Sequence, residues 1–190
     1  MSKQLEGKKV AILAADGFEQ SELFEPKKAL EEAGAEVKIV SLKSGEIKGW
    51  DETDWGKTVA VDLTVAEANA EDFDALQLPG GVMNPDTLRT DENVLKFVKA
   101  FFDAGKPVGA ICHAPWTLIN AEVVEGREMT SYPTLRKDLE NAGAKWTDRE
   151  VVVDGGLVTS RNPNDLPAFN ERLIKEIADS KPEKQLTANR

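Results

Sequence analysis

Cys112 and His113 stand side by side in Ala110-Ile111-Cys112-His113-Ala114, and they are the only cysteine and the only histidine among 190 residues. A thiol beside an imidazole suggests nucleophilic catalysis, with the thiolate as the attacking species. An ordinary thiol with a pKa of about 8.5 is only about 3% thiolate at pH 7. Lowering that pKa to about 5.5 requires about 1.4 kcal/mol per unit, more in total than one helix terminus supplies. A further group must therefore stabilise the sulfur. Set against this chemistry, a lone cysteine is commonly a small buried hydrophobe. Neighbouring residues on one element usually point apart, so His113 pairs with Cys112 only if the chain bends between them. Otherwise His113 serves through its backbone N–H.

The flanking sequence supplies such a bend. Pro107-Val108-Gly109-Ala110-Ile111 reads as a buried strand, and Pro115-Trp116-Thr117-Leu118-Ile119 reads as a helix with proline in its first turn. A nucleophile on a tight strand-to-helix turn between small residues is a nucleophile elbow, and the helix start below it is expected to offer unpaired N–H groups.

The remaining elements alternate in the same way. Residues 9–14 form an apolar strand, and a helix follows from Ser21 to Ala33, with Leu23, Ala29, Leu30 and Ala33 inward. Pro26 should kink this helix or mark a late start, and Gly34 ends it. Strands follow at 37–42 and 74–78, with an edge strand or hairpin arm at 58–63. A helix over Asp91–Ala104 carries a stripe of Val94, Leu95, Val98, Phe101 and Phe102. After the cysteine come a helix near 134–142, strands near 151–153 and 157–160, and a helix near 166–178 with Leu166, Phe169, Leu173 and Ile177 inward. This order predicts one α/β domain over 1–180, with a mostly parallel sheet covered on both faces, and a polar tail at 181–190.

In such sheets chemistry gathers beyond the carboxyl ends of the strands. That selects three loops: Ala15–Gln20, Gly80–Thr87 and Cys112–Pro115. The first lacks G-x-G-x-x-G, and the chain has no P-loop, so a nucleotide cofactor is not expected. One cysteine and one histidine argue against a zinc site. A net charge of −10 opposes nucleic acid and anionic membranes as partners. A single cysteine, no apolar leader and no long apolar stretch fit a cytoplasmic setting.

Glu19 in the first loop is the candidate acid. Beside a thiolate its pKa should rise, and once protonated it can donate to the sulfur. Its plainer role is helix capping. Gly80 and Gly81 allow close backbone approach, and their N–H groups, with that of His113, are candidate oxyanion donors; otherwise they form a tight turn. Trp50-Asp51-Glu52-Thr53-Asp54-Trp55 reads as a solvated acidic loop whose tryptophans pack at a subunit contact or screen the pocket. Tyr132 reads as structural.

Across residues 8–178 these features resemble the PfpI-type intracellular protease family of the ThiJ/PfpI superfamily, of the general stress protein type. The markers are Gly17-Phe18-Glu19, Leu78-Pro79-Gly80-Gly81, Gly105-Lys106-Pro107-Val108, Ile111-Cys112-His113, Thr130-Ser131-Tyr132-Pro133, and Val151-Val152-Val153-Asp154-Gly155 leading into Thr159-Ser160-Arg161. The resemblance implies a flavodoxin-like three-layer sandwich, class I glutamine amidotransferase-like, with Cys112 as the reactive elbow cysteine. It also implies that Glu19 bonds the sulfur, that His113 assists, and that a neighbouring subunit donates a triad acid, matched by Asp86. The chain departs from the family pattern at Ala114, where glycine is usual.

The function implied is a stress-related cysteine peptidase working through a thioester. Two alternatives stand beside it: a deglycase or glyoxalase attacking methylglyoxal adducts through a hemithioacetal, and a non-catalytic redox sensor or chaperone. The expected partners are a second copy of the chain and peptides or small aldehyde adducts, with no cofactor or metal.

Overall fold

The computed structural model describes residues 3–181. The chain runs through β1 (Lys9–Leu13), β2 (Phe18–Glu19), α1 (Gln20–Glu32), β3 (Glu36–Ser41), β4 (Gly45–Asp51), β5 (Asp54–Val61), β6 (Leu63–Thr64), β7 (Ala75–Leu78), α2 (Met83–Leu88) and α3 (Glu92–Asp103). It continues through β8 (Val108–Ile111), α4 (Pro115–Asn120), β9 (Glu128–Met129), α5 (Arg136–Asn141), β10 (Lys145–Trp146), β11 (Val152–Asp154), β12 (Leu157–Ser160) and α6 (Leu166–Asp179). Residues 182–190 of the tail lie outside the described residues.

The central sheet has the order β11-β12-β8-β7-β1-β3-β6. Every pairing is parallel except β11 with β12. β7 and β8 are buried along their whole length, which is why β8 is continuously apolar or small and β7 is apolar apart from Gln77, whose amide is hydrogen-bonded. Alternate residues of each strand serve opposite faces. Val10 and Ile111 pack with Leu30 of α1 and with Phe169, Leu173 and Ile177 of α6. Ala11 and Leu13 pack with Val94, Val98 and Phe101 of α3, Leu118 of α4 and Leu139 of α5. The result is a three-layer α/β sandwich.

The arm expected at 58–63 is the second half of a long β4–β5 hairpin over residues 45–61. Only Glu52 and Thr53 remain as its turn, so the acidic loop is largely strand. Trp50 and Trp55 face each other across the hairpin as an edge-to-face pair 5.6 Å apart.

α1 neither stops nor starts at Pro26 but runs through it from Gln20. Proline removes the N–H that would bond the Glu22 carbonyl four residues back. The buried Gln77 side chain on β7 donates to that carbonyl instead, at 3.1 Å. The helix thus continues past its proline because the sheet beneath supplies the missing donor. Among the described residues, no helix is long and apolar enough to cross a membrane.

Candidate active site

The turn from β8 into α4 holds Cys112 at φ 63°, in the left-handed region. For a residue with a Cβ this conformation costs about 1 kcal/mol or more, and it persists only where surrounding bonds impose it. Here the Cys112 N–H donates to the Ser160 carbonyl at 3.0 Å, and its carbonyl accepts from the Tyr132 N–H at 2.9 Å. The bend brings the neighbouring side chains together, with His113 Nδ1 3.1 Å from Sγ. The imidazole stacks on Tyr132 at 4.7 Å and meets the edge of Trp116 at 5.2 Å. Burial holds its pKa below the ordinary range, so at neutral pH it is uncharged.

The helix start contributes less than expected. The Ala114, Trp116 and Thr117 N–H groups bond to carbonyls within the turn itself, and Pro115 has none. Of the N–H groups at this helix start, only that of His113 acts on the thiol.

The carboxyl set beside Cys112 is that of Glu22; Glu19 caps α1 instead. Glu19 is the N-cap of α1, and its carboxylate accepts from the Glu22 N–H at 2.9 Å and from the Ser21 hydroxyl. A side chain at the N-cap folds back over its own first turn, so it is turned away from the sulfur. Three residues on, Glu22 points inward and is fully buried. Its Oε2 accepts from the Gly80 N–H at 2.9 Å, its Oε1 is buried without a hydrogen-bond partner, and the Cys112 thiol beside the carboxyl influences its ionisation. Burial, with a smaller push from the Glu19 charge, raises its pKa from 4.5 to about 8. Burial also pushes the Cys112 thiol up, an ionised Glu22 pushes it further, and the Gly81 and His113 N–H groups pull it down.

The glycine pair is needed for steric reasons. A Cβ on Gly80 would lie 2.7 Å from Cys112 Cβ and 2.8 Å from the Ile111 carbonyl. Gly81 has φ +81°, and a Cβ there would lie 2.6 Å from the Gly17 carbonyl. Their expected shared role as oxyanion donors divides. The Gly80 N–H is committed to Glu22, whereas the Gly81 N–H faces the sulfur and the Glu22 carboxyl.

Asp86 lies in the first turn of α2 with an exposed side chain. Among the described residues it makes no hydrogen bond to His113, and the cap of α3 is Asp91. Ala114 sits at φ −52° and ψ −33°, a helical conformation open to alanine, so this departure leaves the backbone unstrained.

Reading the sequence missed two members of the site. Glu22, Leu23, Pro26 and Leu30 share the buried face of α1, so helical periodicity alone places Glu22 inward. Tyr132, read as structural, is 38% exposed and forms one wall against the histidine.

A strained cysteine at the carboxyl end of a parallel sheet, held between a neutral histidine and a buried glutamic acid, defines a protein with an elbow cysteine on a flavodoxin-like sandwich. The profile of the DJ-1/PfpI family matches residues 8–176, and the chain belongs to that family. It is 48% identical over 170 residues to "General stress protein 18" of Bacillus subtilis, covering 88% of this chain and 96% of that one. It is 47% identical to "Putative cysteine protease YraA" of Bacillus subtilis, with the same two coverages. It is also 47% identical to "Deglycase TK1284" of Thermococcus kodakarensis, covering 88% of this chain and 98% of the relative. Among solved structures, a two-domain protein of Anabaena variabilis with DJ-1/ThiJ/PfpI-like and ferritin-like domains superposes with a TM-score of 0.85 at 35% identity. That match covers 96% of this chain, which spans about half (52%) of the solved one.

Proposed function

We propose that this chain is a stress-related enzyme of the deglycase kind, using the Cys112 thiolate on small α-oxoaldehyde adducts. The observation carrying this reading is the buried Glu22, with a pKa of about 8, set directly against the reacting sulfur. An acid/base titrating near neutral pH exchanges protons readily in both directions. Held against the sulfur, it would move them at the carbon that the sulfur attacks.

Magnitudes favour a thiolate. Burial alone raises a thiol by up to roughly 3–5 units, or about 4–7 kcal/mol. With Glu22 protonated, its charge no longer opposes ionisation and its O–H becomes a donor. Three donors to an anion, from Glu22, Gly81 and His113, contribute roughly 1.5–3 kcal/mol each, which offsets that penalty.

For a methylglyoxal aminocarbinol the steps balance as follows. Sulfur attacks the carbinol carbon, the C–N bond breaks, and the amine leaves carrying a proton. Glu22, left as a carboxylate once its proton has gone to the amine, takes the proton from that carbon and delivers it to the adjacent carbonyl carbon, while the carbinol O–H proton passes to the neighbouring oxygen, giving a lactoyl thioester. Water cleaves the thioester, releasing lactate and restoring the thiolate. Overall, adduct and water become amine and lactate.

A second copy of the chain is proposed to supply Asp86 as the acid that orients His113. If so, Asp86→Ala lowers turnover without unfolding the protein.

The test is a parallel assay of wild type and Cys112→Ser on methylglyoxal-treated amines and on a peptide panel. Lactate release that falls about 10³-fold in Cys112→Ser supports the proposal. Cys112-dependent peptide cleavage without lactate release replaces it with the peptidase reading.

A further inference from the structure

The Gly80–Gly81 peptide packs against Cys112, its N–H among the groups that stabilise the thiolate, and Asn84 holds that peptide. Asn84 is fully buried, and each of its side-chain positions is used. Oδ1 accepts from the Ala15 N–H at 2.7 Å, and Nδ2 donates to the Pro79 carbonyl at 2.9 Å and the Gly80 carbonyl at 3.0 Å. One donor and two acceptors surround the amide, so its oxygen and nitrogen can be assigned only this way. The Gly80 carbonyl also accepts from the Glu19 N–H at 3.3 Å.

A trans peptide is planar, so the Gly80 carbonyl and the Gly81 N–H point in opposite directions. Fixing the carbonyl fixes the N–H. Two glycines in sequence are the least restricted pair a chain can offer, and without an external hold this peptide would rotate. Asn84 also ties the loop after β7 to the loop after β1 through Ala15. The loop bearing the donor therefore cannot drift from the loop that leads into Glu22.

We propose that Asn84 is a positioning residue for the thiolate: by gripping the Gly80 carbonyl it keeps the Gly81 N–H directed at Cys112 Sγ. This rests on Cys112 as the reacting atom. Asn84 touches neither the sulfur nor a substrate, so its effect must appear in the ionisation of the thiol.

The test is Asn84→Asp, which keeps the shape and the acceptor for Ala15 but turns a carboxylate oxygen toward two carbonyls. The rate of Cys112 alkylation by iodoacetamide, followed against pH, reports the thiolate midpoint without any substrate. The midpoint is expected to rise by about one unit, an approximately tenfold loss of rate below it. The Gly81 amide resonance, which in the wild type should shift with that titration, should stop following it. An unchanged midpoint and an unchanged Gly81 response in folded Asn84→Asp overturn the proposal. Should the variant not fold, the wild type decides. Slow exchange of the Asn84 amide protons together with a Gly81 shift tracking the thiol supports the proposal, and rapid exchange or a silent Gly81 overturns it. Lactate release that persists in Cys112→Ser would sink the functional reading while leaving these measurements intact.

Discussion

Two strand-to-helix turns meet at Gly80, and they are built in opposite ways. The turn into α1 is conventional: Glu19 caps the helix in an extended conformation, and its side chain takes up a free N–H. The turn into α4 has no side-chain cap, spends its N–H groups on itself, and forces Cys112 into the left-handed region. The relaxed turn carries the acid and the strained turn carries the nucleophile. An acid acting by proton exchange needs burial and one firm contact, which a regular helix face provides. A nucleophile must project into a confined recess, which here requires a backbone conformation that only neighbouring strands can enforce. Of the two turns, only the one that presents the sulfur is strained, and Cys112 itself is 6% exposed.

The largest break in this arrangement should come from Gly80→Ala. Its Cβ would press on Cys112 Cβ at 2.7 Å and on the Ile111 carbonyl at 2.8 Å, driving the two turns apart. Activity should fall more than about 100-fold, and urea unfolding should show a loss of about 2–4 kcal/mol.

Next comes the pH dependence of stability. Glu22 has a folded pKa of about 8 against an ordinary 4.5, so between those values the folded chain keeps a proton that the unfolded chain has lost. Its stabilising contribution is full below 4.5 and is lost as pH rises toward about 8. Glu22→Gln should remove that slope, gaining on the order of a few kcal/mol relative to wild type above pH 8. Unfolding curves at about pH 5 and about pH 8.5 measure it.

Glu19→Ala should cost about 1 kcal/mol through the lost cap, with a normal thiol titration. The smallest effect belongs to Ala114→Gly. The position is already helical, so the family's usual glycine should lower stability by about 0.5–1 kcal/mol and leave turnover unchanged.

Much of the fold was legible because long periodic segments state their faces. The α6 stripe of Leu166, Phe169, Leu173 and Ile177 is buried as read, and in α3 Val94, Val98 and Phe101 are buried as read. The elbow was legible from small residues around one cysteine. The carboxylate was not, because Glu19 and Glu22 lie on the same helical start and differ only in direction. Glu19 is the better placed of the two by sequence because it lies in the loop beyond β1, yet the apolar face of α1 passes through Glu22. The hairpin was missed because Gly45–Asp51 alternates weakly and its tip is acidic. Pro26 suggested a break in α1 because its compensating donor, Gln77, lies 51 residues away on another strand. Hydrogen bonds across such distances leave no local pattern.

The central claim is that Glu22, protonated, holds Cys112 as a thiolate. The most direct test is the sign of one shift: the ultraviolet thiolate titration of Cys112 in wild type, Glu22→Gln and Glu19→Gln. A carboxylic acid donates to sulfur more strongly than an amide does, so Glu22→Gln should raise the thiol midpoint, by about one unit from a wild-type value below about 6.5. Glu19→Gln should leave it nearly in place. If Glu22 instead acts as an anion beside the sulfur, removing its charge lowers the midpoint. A lowered midpoint in Glu22→Gln, or a rise seen only in Glu19→Gln, contradicts the account.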